Sequence, residues 1–232
     1  MYLPRHFALT DWPQIGAFVD GAGSADLVTF DGARPVATLL PVIWDRPRHP
    51  APADAGAGAD TGGPPDLGRL LGHLALANDQ WQSAQPGAQA LAIVHGPQAY
   101  ISPAWYESKQ RHGRVVPTWN YETVHLTGTL TVHRDPQWLR ELVTRLTRRH
   151  EENRPGPWAV SDAPPEYIDG QLRAIVGVEV TVTSVEAKQK LSQNRSAADQ
   201  AGAIAGLRAE GGPGSAEIAS RMAASLRARE PD

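Results

Sequence analysis

Three short runs of this chain concentrate side chains that combine a flat ring with a hydrogen-bonding group. His73, Asn78 and Trp81 lie in "GHLALANDQW", Tyr100, Ser102, Trp105 and Tyr106 in "AYISPAWY", and Trp119, Asn120 and Tyr121 in "VPTWNY". Aromatic walls with a few placed amides and hydroxyls suit a planar heterocycle, which they stack against and hydrogen-bond along its edge. Tryptophans of a small barrel also serve as core or subunit contacts, and residue types alone leave both readings open. A fourth run, "KLSQNR" at 190–195, follows a hydrophobic strand. Lys190 and Arg195 could hold a phosphate there, and Gln193 and Asn194 the edge of a ring; a solvated turn accounts for it equally.

Other chemistries find less support. The eight histidines are scattered, and no pair has the i,i+4 helical spacing of a metalloprotease, so no metal site is expected. There is no Gly-x-Ser-x-Gly elbow, and Ser102 has no local base. With no cysteine, thiolate ligands, disulfides and a cysteine nucleophile are excluded. No catalytic residue can be assigned from these signals.

The elements that must position these runs follow from periodicity. Asp11 before Trp12-Pro13 caps a helix over 11–20 carrying Ile15, Phe18 and Val19. "DLVTF" and "ARPVATLLPVIW" flank Asp31-Gly32 and predict a hairpin. Residues 45–66 are Pro, Ala, Gly and Asp almost throughout, and read as a flexible surface loop between two strands. Strands are expected in "LGRLLGHLALAN", "ALAIVHG" and "AYIS", with a short helical turn at "NDQWQS". From Val124 the even positions of the next strand are Val, Leu, Gly, Leu and Val, and the odd ones are His or Thr, the period of a half-buried strand. Thr118, Asn120 and Glu122 continue the even face, so Thr118 and Asn120 are expected to face a binding groove. Asp135-Pro136 caps a helix with Trp138, Leu139, Leu142, Val143 and Leu146 on one stripe. A second helix after Asp162 is expected to carry Ile168, Leu172 and Ile175 as far as Gly177. "VGVEVTVTSVE" is the last strand, and an Ala-rich helix pair, 197–210 and 215–229, follows.

Six or so strands with short helices give an α+β expectation, mainly β, a small barrel with helical decoration. At 41% hydrophobic and 20% charged, 232 residues can build a sizeable core. A net charge of −3 provides no global field for nucleic acid. No run of 18 apolar residues and no signal-peptide core is present, and a cytoplasmic protein is expected.

The runs "MYLPRHF", "GHLALANDQW", "GPQAYISPAWY", "VVPTWNYETVH", "LRAIVGVEV" and "KLSQNR" together resemble the PaiB family of FMN-binding negative transcriptional regulators, in order over residues 1 to 208. The resemblance implies an FMN-binding split β-barrel, related to pyridoxamine-phosphate-oxidase-like flavoproteins, over 1–195, with a C-terminal helical extension at 196–232. It implies a homodimer with flavin held between subunits, and for some members repression of protease and sporulation genes. The expected cofactor-binding set is Thr38, His73, Asn78, Trp81, Tyr100, Ser102, Thr118, Trp119, Asn120, Lys190, Gln193 and Asn194. Three positions depart from the family pattern. Leu39 stands for a histidine in Thr-His-Leu-Pro, Leu76 for the arginine of Ala-Arg-Ala-Asn, and Gln98 for the histidine of Gly-Pro-His-Ala-Tyr. An arginine–phosphate contact contributes about 1.5–3 kcal/mol, so FMN binding could be weakened, altered or replaced by another ligand.

Three functions stay open: a flavin-carrying redox or regulatory protein, a DNA-binding repressor that uses flavin as sensor, and a relative that has lost FMN. The only candidate DNA reader is the second C-terminal helix, with Arg221, Arg227 and Arg229, and an amphipathic docking hairpin explains Ile218, Met222 and Leu226 in the same helix. Arg145, Arg148 and Arg149 suit the end of a helix, where cations complement the dipole.

Overall fold

The computed structural model describes residues 1–49, 66–83 and 87–229, so most of the Pro/Ala/Gly-rich loop expected at 45–66 lies outside the described residues. Seven strands form one antiparallel sheet in the order β2-β1-β5-β6-β7-β4-β3, where β1 is Ser24–Phe30, β2 Pro35–Pro41, β3 Ile43–Asp45, β4 Arg69–Ala75, β5 Gln89–Ile101, β6 Thr118–His133 and β7 Ile175–Lys190. Six α-helices accompany them: α1 Trp12–Ala22, α2 Glu107–His112, α3 Pro136–Glu151, α4 Pro165–Leu172, α5 Ala197–Glu210 and α6 Ser215–Arg227. The chain forms two compact units, one of residues 12–94 and 125–185, the other of 1–11, 95–124 and 186–232.

In the first unit, β1 and β2 form the expected hairpin, with Ser24 opposite Pro41 and Phe30 opposite Pro35. Asp31 Oδ1 accepts from the N–H groups of Ala33 and Arg34, both at 2.9 Å, and Gly32 takes the positive φ (96°) that the turn needs. β4 pairs with β3 and, from Arg69↔Thr181 to Ala75↔Ile175, with β7. Gly72 of β4 is closely approached by β2: a Cβ there would lie 2.4 Å from Leu40 Cδ1 and 3.1 Å from the Pro41 carbonyl oxygen. Asp135 caps α3 by accepting from the N–H groups of Gln137 and Trp138, and Leu139, Leu142 and Leu146 are buried as the stripe predicts. Trp138 stacks on His133, with centroids 4.0 Å apart and planes 9° apart. Its ring also fills the space where Gly177 would carry a Cβ. At the end of α3, Arg149 Nη2 donates to the carbonyl oxygen and carboxylate of Asp20, and Arg46 pairs with that carboxylate at 2.7 Å. The basic helix end therefore has carboxylate partners as well as the dipole.

In the second unit, α5 and α6 share a core with Ala99, Ile101, Tyr106 and Leu191. Ser196 caps α5 by accepting from Asp199 N–H, and Gly211, with a φ of 66°, ends it. Gly202 and Gly206, one turn apart on α5, leave room for Trp105: a Cβ at Gly206 would lie 2.2 Å from the indole. Trp105 and buried Tyr106 are thus packing residues of this unit.

Two strand readings need correction. "ALAIVHG" and "AYIS" form the single strand β5, because Gly96-Pro97 interrupts the alternation without ending the strand. Ala90, Ala92 and Val94 are buried on even positions, then Ala99 and Ile101 on odd ones, the phase change that a bulge-like irregularity produces. The helix after Asp162 ends at Leu172, and Ile175 opens β7 instead of continuing the helix. There the apolar spacing of a helix and the start of a buried strand overlap.

Candidate cofactor site

The expected site residues fall into two groups, one in each unit. In the first unit, β4 leads into the turn that carries Asn78. Asn78 Nδ2 donates to Thr38 Oγ1 of β2 at 3.0 Å, and Asn78 Oδ1 accepts from Gln80 N–H at 3.0 Å. Gln80, which sequence reasoning missed, holds this turn on the hairpin: its Nε2 donates to the carbonyls of Leu27 (2.8 Å) and Val36 (3.2 Å). Trp81 Nε1 donates to the Leu76 carbonyl at 3.0 Å, and the Arg134 guanidinium lies over the Trp81 ring, 5.2 Å from its centroid. Burial lowers the His73 pKa, and buried Nδ1 of that residue has no hydrogen-bond partner among the described residues. Thr38, Asn78 and Trp81 are half-buried, each keeping some accessible surface. An amide, a hydroxyl, an indole and a ring nitrogen lacking a partner fit the edge and face of a planar heterocycle.

In the second unit the polar groups mostly find partners within the chain. Lys190 Nζ donates to Thr118 Oγ1 and, at 2.7 Å, to the Trp119 carbonyl. Burial, then the neighbouring charge of Lys188, lowers its pKa. Asn120 is fully buried: its Nδ2 donates to Ser192 Oγ at 3.0 Å and approaches Met222 Sδ at 3.4 Å. Ser192 is the one non-glycine among the described residues with positive φ (62°), a strained conformation held by this contact. Glu122 is buried beside it on the same face of β6. Its Oε1 accepts from Gln189 at 2.8 Å, and its Oε2 lies 3.5 Å from Arg221 of α6. Gln193 closes the turn after β7 on itself, accepting from Leu191 N–H and donating to the Gln189 carbonyl. Asn194 is exposed, and Ser102 caps the 3-10 turn Pro103–Trp105. Thr118 and Asn120 share a face as expected, but at Asn120 that face is closed over by the packing of α6. Of the aromatics expected at the site, Trp119 and Tyr100 are the open ones in this unit, 47% and 45% exposed, with ring centroids 6.3 Å apart. Gln98 Oε1 accepts from Trp119 Nε1 at 3.0 Å, so this departure from the family pattern serves to orient the indole.

Comparison with known proteins settles the family. Residues 1–184 match the family described as "Putative FMN-binding domain". The chain belongs to this family. FMN is the cofactor that membership assigns, and the fold is the FMN-binding split barrel with α+β character. The FMN-binding family chain is 30% identical over 222 residues to the Protease synthase and sporulation protein PAI 2 of Bacillus subtilis, covering 96% of each chain. It is 36% identical over 172 residues to an uncharacterized protein of Aspergillus fumigatus, covering 60% of this chain and 66% of that one. Among solved structures it resembles the flavocytochrome Anf3 of Azotobacter vinelandii, with 14% identity, a TM-score of 0.55 and coverage of 81% of this chain and 72% of that one. It also resembles a FAD and heme binding protein of Mycobacterium smegmatis, with 14% identity, a TM-score of 0.52 and coverage of 78% and 72%. At that identity the likeness concerns the fold. Among the described residues, no helix is long and apolar enough to cross a membrane.

Proposed function

We propose that this protein is a cytoplasmic, homodimeric flavin carrier whose bound FMN performs redox chemistry. The observation that carries this reading is the open group of the first unit, where Thr38, Asn78 and Trp81 are held in place by Gln80 and the backbone while the His73 Nδ1 stays unpartnered. Asn78 and Thr38 would hydrogen-bond the ring edge, and Trp81 would stack. Neutral His73, its pKa lowered by burial, could donate or accept at a flavin heteroatom. Bound FMN would supply electron transfer, and these residues would tune it through hydrogen bonds. Leu39, 65% exposed on the edge strand β2, together with exposed Tyr100 and Trp119, supports burial of apolar surface against a second subunit. The DNA-binding reading is weaker, because Arg221 pairs with Glu122 and Glu217, while Arg229 donates to the Gln193 carbonyl and Gln200 Oε1. Those two arginines of the C-terminal hairpin are thereby engaged within the chain.

The absorbance spectrum of the purified protein, before and after incubation with FMN and desalting, tests this reading. A flavin spectrum retained after desalting is expected, and a colourless protein that takes up no FMN would sink the proposal. Light scattering coupled to size-exclusion chromatography should give twice the mass of the chain.

A further inference from the structure

The hairpin of α5 and α6 follows β7, the last strand, so it can leave the second unit without breaking a strand pairing. Leu207, Ile218, Ala219 and Met222 seat it by burying apolar surface with Ile101, Tyr106 and Leu191. Beside that apolar contact runs a polar seam. Glu122 of β6 is 2% exposed, and its Oε2 has no hydrogen-bond partner among the described residues. The charged groups that face it are Arg221 and Glu217 of α6, while β7 faces it with the neutral Gln189 amide. Arg221 is a loose partner: its side chain is 48% exposed, stands 3.5 Å from Oε2 and is shared, also at 3.5 Å, with Glu217. A buried carboxylate paired this loosely loses more in hydration than the pairing returns. The seam runs on to Ser192 at the root of the hairpin, whose positive φ is held by the contact with Asn120. Arg229 donates to the Gln193 carbonyl and to Gln200 Oε1, which ties α6 to α5 and to that root.

We propose that the α5–α6 hairpin is a proton-controlled latch, which swings off β6 as one piece ahead of the rest of its unit, and that ionisation of Glu122 promotes the opening. Opening returns water to the Glu122 carboxylate and uncovers Asn120 and Glu122, the polar part of the β6 face that the closed hairpin seals. Burial raises the Glu122 pKa in the closed form, although Arg221 and Gln189 lower it. Protonated Glu122 therefore favours the closed hairpin, and that preference is lost as pH rises from the ordinary carboxylate range through the closed-state value. Asp199 of α5 acts with the opposite sign: burial raises its pKa, but the bonds it accepts from Ser108 outweigh burial and lower it. A change at Glu122 alone separates the two carboxylates.

Amide hydrogen exchange read by mass spectrometry, on the full chain and on Glu122→Gln and Arg221→Gln between about pH 4 and 8, tests the latch. After correction for intrinsic exchange chemistry, amides of α6 in the parent should open more often than those of β5 and β6. Their opening constant should rise by up to about tenfold per pH unit until Glu122 is fully ionised, and then level off. In Glu122→Gln the rise should disappear, leaving α6 better protected than in the parent at neutral pH. In Arg221→Gln the rise should extend to higher pH, because the guanidinium that lowers the closed-state pKa is gone. The parent profile decides the matter even where a variant fails to fold: equal opening of α6 and the strands, or an opening constant that does not change with pH, overturns the latch. A rise that persists unchanged in Glu122→Gln assigns the pH response to another group and overturns it equally.

Discussion

Asn78 and Asn120 have similar neighbours in sequence: each lies within three residues of a tryptophan, Asn78 just beyond β4 and Asn120 near the start of β6. In space their surroundings differ. The Asn78 amide joins a threonine at the edge of a turn, with accessible surface, an unpartnered imidazole nitrogen on His73 and, beyond Trp81, an arginine without a counter-ion. The Asn120 amide is sealed between Ser192 and Met222, next to a buried carboxylate that already has an amide and a guanidinium. Polar residues that satisfy one another inside the fold position the chain, and polar residues left with free valences invite a ligand. The comparison assigns Asn120 a fastening role for α6 and Asn78 a recognition role. A ligand contact from Asn120 would require Ser192 to move away first.

The largest expected effects test the fastening side. Met222→Ala deletes a fully buried side chain of the α5–α6 core and should cost about 2–5 kcal/mol. In a chain of this length that lowers Tm by roughly 2–4 °C per kcal/mol. Asn120→Ala leaves Ser192 Oγ without its buried partner and should cost about 1–3 kcal/mol by chemical denaturation. If Asn120→Ala abolishes flavin binding while leaving stability intact, the fastening role is wrong and the β6 face is part of the ligand site.

Recognition should show the converse pattern. Asn78→Ala removes one neutral hydrogen-bonding group, so FMN should bind about three- to tenfold more weakly, the equivalent of about 0.5–1.5 kcal/mol. Stability should fall by less than in Asn120→Ala, because Gln80 still anchors the turn to Leu27 and Val36. Isothermal titration against FMN, together with a melt of the same sample, separates the two losses. Unchanged affinity would remove this turn from the site.

The strands and helices were largely legible because their signals are local: alternation along β6, the Asp135-Pro136 cap, the Asp31-Gly32 turn. The single strand β5 was not, since a Gly-Pro pair reads as a break wherever flanking pairing does not hold it extended. Asn78, Trp81 and Thr38 could be named from residue type and the resemblance, but nothing in one sequence shows that Asn78 reaches Thr38 forty residues away. The even face of β6 is legible in the sequence as one face, but its polar start, which reads as the mouth of a groove, is closed over at Asn120. What that reading could not include was α6, whose residues lie some hundred positions later and satisfy Asn120 and Glu122.

The smallest effect tests the buried carboxylate at the centre of the fastening. Burial pushes the Glu122 pKa above the ordinary carboxylate range, although Arg221 and the Gln189 amide pull it down. A carboxyl whose pKa is higher in the folded chain than in the unfolded chain stabilises the fold fully below the unfolded pKa. That stability is lost as pH rises through the folded value. Glu122→Gln mimics the protonated form at every pH and keeps a group able to accept from Gln189, while Arg221 retains Glu217 at 3.5 Å. The variant should therefore melt above the parent at neutral pH, and the gap should close as pH falls toward the unfolded carboxylate range. A variant that melts below the parent at neutral pH would mean that the Arg221 pair outweighs burial. In that case α6 would be fastened by charge as well as by packing, and the contrast with the Asn78 region would have to be drawn from the Asn120–Ser192 contact alone.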